Sequence, residues 1–441
     1  MLGEPLTTGI RRPLVYDLSY VVARLQAATP TGVERVDAAF ARHFVGGSVS
    51  RIATGLHYGL LRPHGFRPET ARRIAARIGK AWGAESAPAD DPAYRAVMAW
   101  LQDRDGETRA AKNHAERAIK PVPTGLDWLL GEGERLALRL RSDPGAGVPA
   151  KALYLNVAQY SFGQRAFFRW LDRRPDVRAV FFIHDLLPLD CPEFFRKGRA
   201  EMFERCVQTM ARYASAAIVS SEVVGERVKR EIASRRREGI PILVAPLPPP
   251  AHRALAVQDD GPAPPYFMVV GTIEARKNHL LLLNVWRALA QGTGPAPRLV
   301  LVGARGWNNE QALDLLERSR LLAPHVMEVS GLGAAGLQRL LGGARALLMP
   351  SFAEGYGLPI AEALAIGTPV VASNIPVFRE VSQERALLLD PTDGPAWRAA
   401  IAEMSADNSP LRESWRAAAA RYRAPNWDGY FAQVERFLAE L

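Results

Sequence analysis

Cysteine is nearly absent from this chain. Cys191 and Cys206 are the only two in 441 residues, too few for a disulfide framework or a self-contained zinc site. Long apolar runs are missing too, and none reaches the roughly 20 residues needed to cross a bilayer. The opening stretch, MLGEPLTTGIRRPLVYDLSY, lacks the extended apolar core of a secretory signal. These absences point to a reduced, cytoplasmic protein. No solenoid-type internal repeat is visible. The charge balance is basic, at +10 with a sequence pI near 9.8. That suits nucleic acid, an anionic membrane face or a phosphorylated ligand. It is equally what arginine dispersed through an alanine-, glycine- and proline-rich chain would give. The length suits two or three domains.

What is present is a strand–helix alternation. From about residue 265, PYFMVVG, PRLVLVG, HVMEVSG, ALLMPS, PVVAS and ALLLD read as short apolar strands separated by amphipathic helices. Continuous apolar strands of this kind belong to a parallel sheet covered on both faces. The first half repeats the pattern with PLVYDLSY, KALYLNV, VRAVFFIHD, AAIVSS and IPILVAP. TGVERVDAAFARHF reads as a helix, with Thr31 and Glu34 at capping-box spacing. The expected architecture is α/β, with two Rossmann-like, doubly wound domains facing a cleft. The first domain spans 1–248, with a polar, mostly helical insertion at about 60–145. A proline-rich linker occupies 249–264, the second domain 265–424, and a final amphipathic helix 425–441. In open parallel sheets ligands bind beyond the carboxyl ends of the strands, so functional residues should follow strands directly.

Two segments meet that condition in the second half. In SFAEGYGLPIAEALAIGTPVVAS, Glu354 lies just past a strand and Glu362 eight residues on. Between them Gly355 and Gly357 permit close backbone approach, and Pro359 suits a first helical turn. Carboxylates here can accept hydrogen bonds from sugar hydroxyls. Alone, they also read as a dipole-complementing Glu362 and a solvated Glu354. In GTIEARKNHL, Arg276 and Lys277 sit between a strand and a helix, a placement that suits a diphosphate. Such a pair is by itself more often a solvated surface.

In their order and spacing, GTIEARKNHLLLL, LVLVGARGWNNE, ALLMPSFAEGYGLPIAEALAIGTPVVAS and PVFREV resemble the family-4 retaining glycosyltransferases of the GT-B fold. The likeness is greatest to bacterial mannosyl- and rhamnosyltransferase-type members. It is dense from about 265 to 395 and looser before. The resemblance implies that Arg276 and Lys277 neutralise the diphosphate of a nucleotide sugar, that Glu362 holds the ribose, and that Glu354 and the following backbone contact the sugar or its phosphate. Gly271, Gly303, Gly355, Tyr356, Gly357 and Leu358 would complete the donor site, with Gly32 reaching it from the first domain. TPTGVERV resembles the family's glycine loop without its double glycine. It makes Thr31 and Arg35 acceptor-side candidates. FFIHDLLPLD places His184 and Asp185 after a strand, where related enzymes face a His-Asp pair towards the sugar. The catalytic set so implied is His184, Arg276, Lys277 and Glu354, with no metal and no cofactor. The nucleoside diphosphate sugar (GDP-mannose first, UDP- and dTDP-sugars next) is the co-substrate. A glycan or lipid-linked glycan is the acceptor, and the final helix would cross back to the first domain.

Other readings remain open at this point. GLGAAG, residues 331–336, matches G-x-G-x-x-G, yet lies in mid-domain instead of at a first βα turn; a dehydrogenase is a remote alternative. Asp103 and Asp105 form an Asp-x-Asp pair that reads better as a solvated turn than as a metal site. Ser220 and Ser221 read as weak ligand candidates or as a helix cap. ETARRIAARIGKAWG, in the insertion, could lie on an anionic membrane, or pack on the first domain with its arginines in water. A binding module without catalysis, or a basic nucleic-acid binder, are the alternatives to an enzyme; no nucleic-acid-binding signature is present.

Overall fold

The computed structural model describes residues 10–23, 31–46, 56–59, 62–66, 68–83, 88–103, 142–143, 148–159, 162–235, 239–250 and 264–441. β1 (Leu14–Tyr16) is followed by β2 (Leu56–Gly59), β3 (Arg62–Phe66) and β4 (Ser142–Asp143), which pair antiparallel in a small sheet of their own. β5 (Leu153–Asn156), β6 (Arg178–Ile183), β7 (Ala214–Val219) and β8 (Ile242–Val244) join β1 in a parallel sheet ordered β1-β5-β6-β7-β8. The second sheet takes β9 (Tyr266–Val270), β10 (Arg298–Val302), β11 (Val326–Val329), β12 (Leu347–Met349), β13 (Val370–Ser373) and β14 (Leu387–Leu389). Its order is β11-β10-β9-β12-β13-β14, all parallel.

Strand residues alternate between two apolar layers. Val180 and Phe182 of β6 face one core, while Ala179, Phe181 and Ile183 face another. In β9, Met268 and the pair Phe267 and Val269 divide in the same way. Burial on both faces is why these strands are apolar throughout their buried positions, with only the exposed Arg178 at the start of β6 departing from this. Chain order reverses beside β9, where β10 and β12 flank it on opposite sides. This switch point opens the crevice in which such sheets hold ligands.

The helix Gly32–Phe44 starts with the expected capping box: the Thr31 hydroxyl accepts from the Glu34 amide, and the Glu34 carboxylate accepts from the Thr31 amide. The last helix, Trp427–Ala439, does cross back. Phe431 stacks on His43 with ring centroids 3.8 Å apart, and His43 Nε2 lies 2.8 Å from Glu435 Oε1. Most of the 249–264 linker lies outside the described residues, as does the insertion between 104 and 141.

The described parts of the insertion are mostly helical, with β3 and β4 near its two ends. Its two described α-helices go to different domains. Pro68–Gly83 packs Ala71, Ile74 and Ala75 against the first domain, leaving Arg72 and Arg73 exposed. The side chains of Ile78, Lys80 and Trp82 lie outside the described residues. Pro92–Gln102 instead lies on the second domain, along β11 and the helix Ala334–Gly343. The reason is its apolar stripe. Tyr94, Val97, Trp100 and Leu101 are all buried, each worth about 1.5–3 kcal/mol relative to exposure.

Candidate active site

The carboxyl end of β9 leads through Gly271 to the single 3-10 turn Ala275–Lys277. Asn278 then takes a left-handed conformation (φ 55°) and opens the helix His279–Ala290. Its amide donates to the carbonyls of Pro350 and Pro391, at 3.2 and 2.8 Å, tying this turn to the ends of β12 and β14. The turn therefore holds Arg276 and Lys277 against the loop after β12. Glu354 answers both: Arg276 Nη1 and Lys277 Nζ each lie 2.6 Å from its carboxylate. Ser351 Oγ adds a hydrogen bond to Glu354 at 3.0 Å. The Arg276 guanidinium also donates to the Ala353 carbonyl (2.9 Å) and pairs with Glu274 Oε1 (2.7 Å).

Burial opposes ionisation of Glu354, but Arg276 and Lys277 outweigh it and bring its pKa down to about 2. For Arg276 burial likewise works against the charge, and Glu354 and Glu274 overcome it, holding the guanidinium more firmly protonated than usual. Burial raises the pKa of Glu274, against the pull of Arg276 and Lys277. The turn is thus a closed set of two cations and two carboxylates at the switch point.

Gly357 caps the helix Leu358–Ala365 with φ 106°, a conformation that glycine alone adopts readily. Glu362, one turn in, points back across the cleft to Arg35 of the first domain, 2.8 Å away. Gly355 touches the first domain outright. A β-carbon there would sit 2.8 Å from Cβ of Asp185 and 2.9 Å from the His184 carbonyl oxygen. Gly303 is equally confined, since a β-carbon would meet the Gly271 carbonyl oxygen at 2.0 Å. Tyr356 donates its hydroxyl to the Leu247 carbonyl at 3.0 Å. Leu358 lies within van der Waals reach of Gly32.

His184 is held by a 2.8 Å contact from Nε2 to the Val157 carbonyl. A carbonyl only accepts, so Nε2 carries the proton. Burial lowers the imidazole pKa to about 4, leaving the ring neutral near pH 7. Burial raises the pKa of Asp185, partly offset by Arg276. The candidates from both halves thus converge on one cleft. Thr31 is the exception: it is spent on the helix cap and exposed. Ser221 also acts as a cap, accepting from the Val224 amide at 3.2 Å.

The sequence did not single out several further residues. Glu274 is two positions before Arg276, and its charge order in IEARK was the available signal. Glu380 sends its carboxylate across the cleft to the amides of Glu222 (2.7 Å) and Val223 (3.4 Å), the first residues of the helix Glu222–Ala233. Trp307 Nε1 donates to the Phe194 carbonyl at 3.1 Å, and Phe194 stacks on Phe352. Nothing local marks these partners. The G-x-G-x-x-G loop is already engaged, because the Gly333 amide donates to Asp91 Oδ2 at 2.8 Å. The Asp103 backbone carbonyl accepts from Arg298, while Asp105 lies outside the described residues.

Two parallel-sheet, Rossmann-like domains facing a cleft, with a last helix returning to the first, define the GT-B architecture. Residues 256–422 match the family model described as Glycosyl transferases group 1. The serotype-specific mannosyltransferase WbdA of Escherichia coli is 31% identical over 226 residues, covering 47% of this chain and 27% of that protein. The O-antigen chain mannosyltransferase B of Escherichia coli is 30% identical over 251 residues, covering 54% and 63% respectively. The chain therefore spans less than two thirds of either relative's length. A solved sucrose-phosphate synthase from Thermosynechococcus elongatus superposes with a TM-score of 0.50 at 19% identity, covering 71% of this chain and 77% of that one, a likeness of fold. The chain has the GT-B fold, and its residues 256–422 are similar to the group 1 glycosyl transferases.

Proposed function

We propose that this chain is a retaining hexosyltransferase that moves mannose from GDP-mannose to a glycan or lipid-linked glycan in surface polysaccharide synthesis. The observation that carries the reading is the convergence of Arg276 and Lys277 on one point at the carboxyl ends of β9 and β12. The mannosyltransferase relatives support the choice of sugar. Departure of a nucleoside diphosphate builds negative charge on the leaving oxygens. Fixed cations at that place stabilise the charge without reorganising during the reaction. Arg276 and Lys277 exchange Glu354 for diphosphate oxygens, and Glu362 exchanges Arg35 for the ribose hydroxyls. Leu358, Tyr356 and the backbone at Gly355 and Gly357 wall the sugar, with Gly271 and Gly303 below the phosphates and Gly32 opposite. His184, neutral and fixed as the Nε2–H tautomer, faces the sugar from the first domain beside Asp185. The leaving phosphate takes the acceptor proton on the same face, so no separate nucleophile is assigned. The released Arg35 borders the acceptor. The exposed Arg72 and Arg73 favour contact with an anionic membrane surface carrying that acceptor.

The test is a panel of GDP-, UDP- and dTDP-sugars in EDTA, scored by thermal shift and by nucleoside diphosphate release. The expected result is selective stabilisation and slow hydrolysis with GDP-mannose, and an α-linked product by NMR when acceptor is added. Selective turnover of another donor would replace the sugar assignment. Stabilisation without turnover under any acceptor would make the chain a binding module.

A further inference from the structure

The helices Pro68–Gly83 and Pro92–Gln102 of the insertion are anchored on opposite domains, and the second anchor uses residues that the proposed reaction leaves idle. Asp91, itself buried, accepts from the amides of Ala93 (2.9 Å) and Tyr94 (3.3 Å) at the start of its own helix. Its other oxygen accepts from Gly333 at 2.8 Å. Gly333 is the N-cap of the helix Ala334–Gly343 and brings no side-chain cap of its own. One carboxylate thus caps two helices, one from each side of an interface. The glycines of the G-x-G-x-x-G match have a packing reason here. A β-carbon at Gly336 would press within 3.1 Å of Asp91 Oδ2 and 3.2 Å of Tyr94 Cβ. At the other end of the segment, Arg298, the first residue of β10, places its guanidinium 4.8 Å over the Trp100 ring and donates to the Asp103 carbonyl.

The N-terminal anchor is as firm. Ala71, Ile74 and Ala75 of Pro68–Gly83 are buried against the helix Gly32–Phe44, which carries Arg35 to the cleft. Only five peptide steps separate Gly83 from Pro88, a reach of at most about 18 Å. The two anchors therefore cannot part far while both stay docked.

We infer that residues 88–103 are an interdomain clip: docked on the second domain through Asp91 and Trp100, they hold the cleft closed in the unliganded protein, and the cleft opens fully only when they undock. This inference does not depend on the donor assignment. It gives the cleft a third connection besides the linker and the last helix.

Hydrogen exchange read by mass spectrometry tests it without any ligand. Peptides around Gly333 report docking of the clip. Those around Glu222 and Val223, whose amides bond to Glu380 across the cleft, report closure. In Trp100→Ala both should exchange faster by about tenfold or more, while Val300 and Leu348 in the central strands keep wild-type protection. The radius of gyration from small-angle scattering should rise in parallel. Faster exchange at Gly333 with wild-type rates at Glu222 and Val223 would overturn the clip, since the segment would then dock without holding anything shut. Should Val300 and Leu348 also lose protection, Arg298→Gln, which trims the interface from the other side, is read by the same two peptides and decides the matter.

Discussion

Arg35 and Glu362, 327 positions apart in the chain, form an ion pair of 2.8 Å across the cleft. Arg35 keeps 34% of its side chain exposed, whereas Glu362 keeps 8%. The carboxylate proposed for the donor ribose is therefore paired with the opposite domain, and in the proposed binding mode a nucleotide displaces that guanidinium. Arg35→Gln should accordingly bind donor more tightly than wild type. A half-exposed pair is worth about 1 kcal/mol or less, so the gain should stay under about fivefold. Glu362→Ala should weaken donor binding instead. Calorimetric titration of both variants checks the pair, and weaker binding in Arg35→Gln would mean that Arg35 serves the nucleotide directly.

The buried Glu354 cluster makes a double-mutant prediction. Arg276→Gln leaves Glu354 and Glu274 short of their shared cation, and breaking a buried pair in this way costs about 3–5 kcal/mol. Adding Glu354→Gln should restore a substantial part of that loss, because the uncompensated charge is gone. Activity should not return, since diphosphate neutralisation needs the arginine. Denaturant melts and turnover assays on the single and double variants separate the two effects. Recovery of turnover in the double variant would remove Arg276 from the chemistry.

His184 should divide kinetic constants differently from Glu362. Its ring is fixed by the Val157 carbonyl and stays neutral, so it contributes placement and hydrogen bonding near the sugar, not charge. His184→Ala should lower kcat by about tenfold or more, equivalent to about 1.4 kcal/mol, with a small change in donor affinity. Equal losses of donor affinity in His184→Ala and Glu362→Ala would end this division of roles.

Stability should carry a pH signature from Asp37, fully buried on the helix Gly32–Phe44. Desolvation raises its pKa to about 8 despite its hydrogen bond with Tyr16. Between the ordinary carboxyl value and about 8 the folded state holds a proton that the unfolded chain has released. This group's contribution to stability is therefore present in full at low pH and is lost as pH rises through about 8. Asp37→Asn should flatten the fall in stability between pH 4 and 8. Chemical denaturation across that range, wild type against variant, gives the slopes; parallel slopes would contradict the assignment.

Much of this molecule was written locally. Apolar runs such as VRAVFFIHD and ALLMPS fix their own identity as strands buried on both faces, because a parallel sheet sandwiched between helices tolerates little else. The Thr31–Glu34 box and the Gly357-Pro359 start of a helix are set by backbone groups within three or four residues. Their position at strand ends is what puts Arg276, Lys277, Glu354 and His184 beside the cleft. Tertiary structure decided the pairing of charges and the destination of surfaces. Nothing near Arg35 names Glu362, and nothing near Asp91 names Gly333, 242 positions away. The stripe of Tyr94, Val97, Trp100 and Leu101 says that a helix must be covered but not by which domain. A local sequence carries its periodicity and caps with it. A charge or an apolar stripe acquires its partner only when the two domains meet.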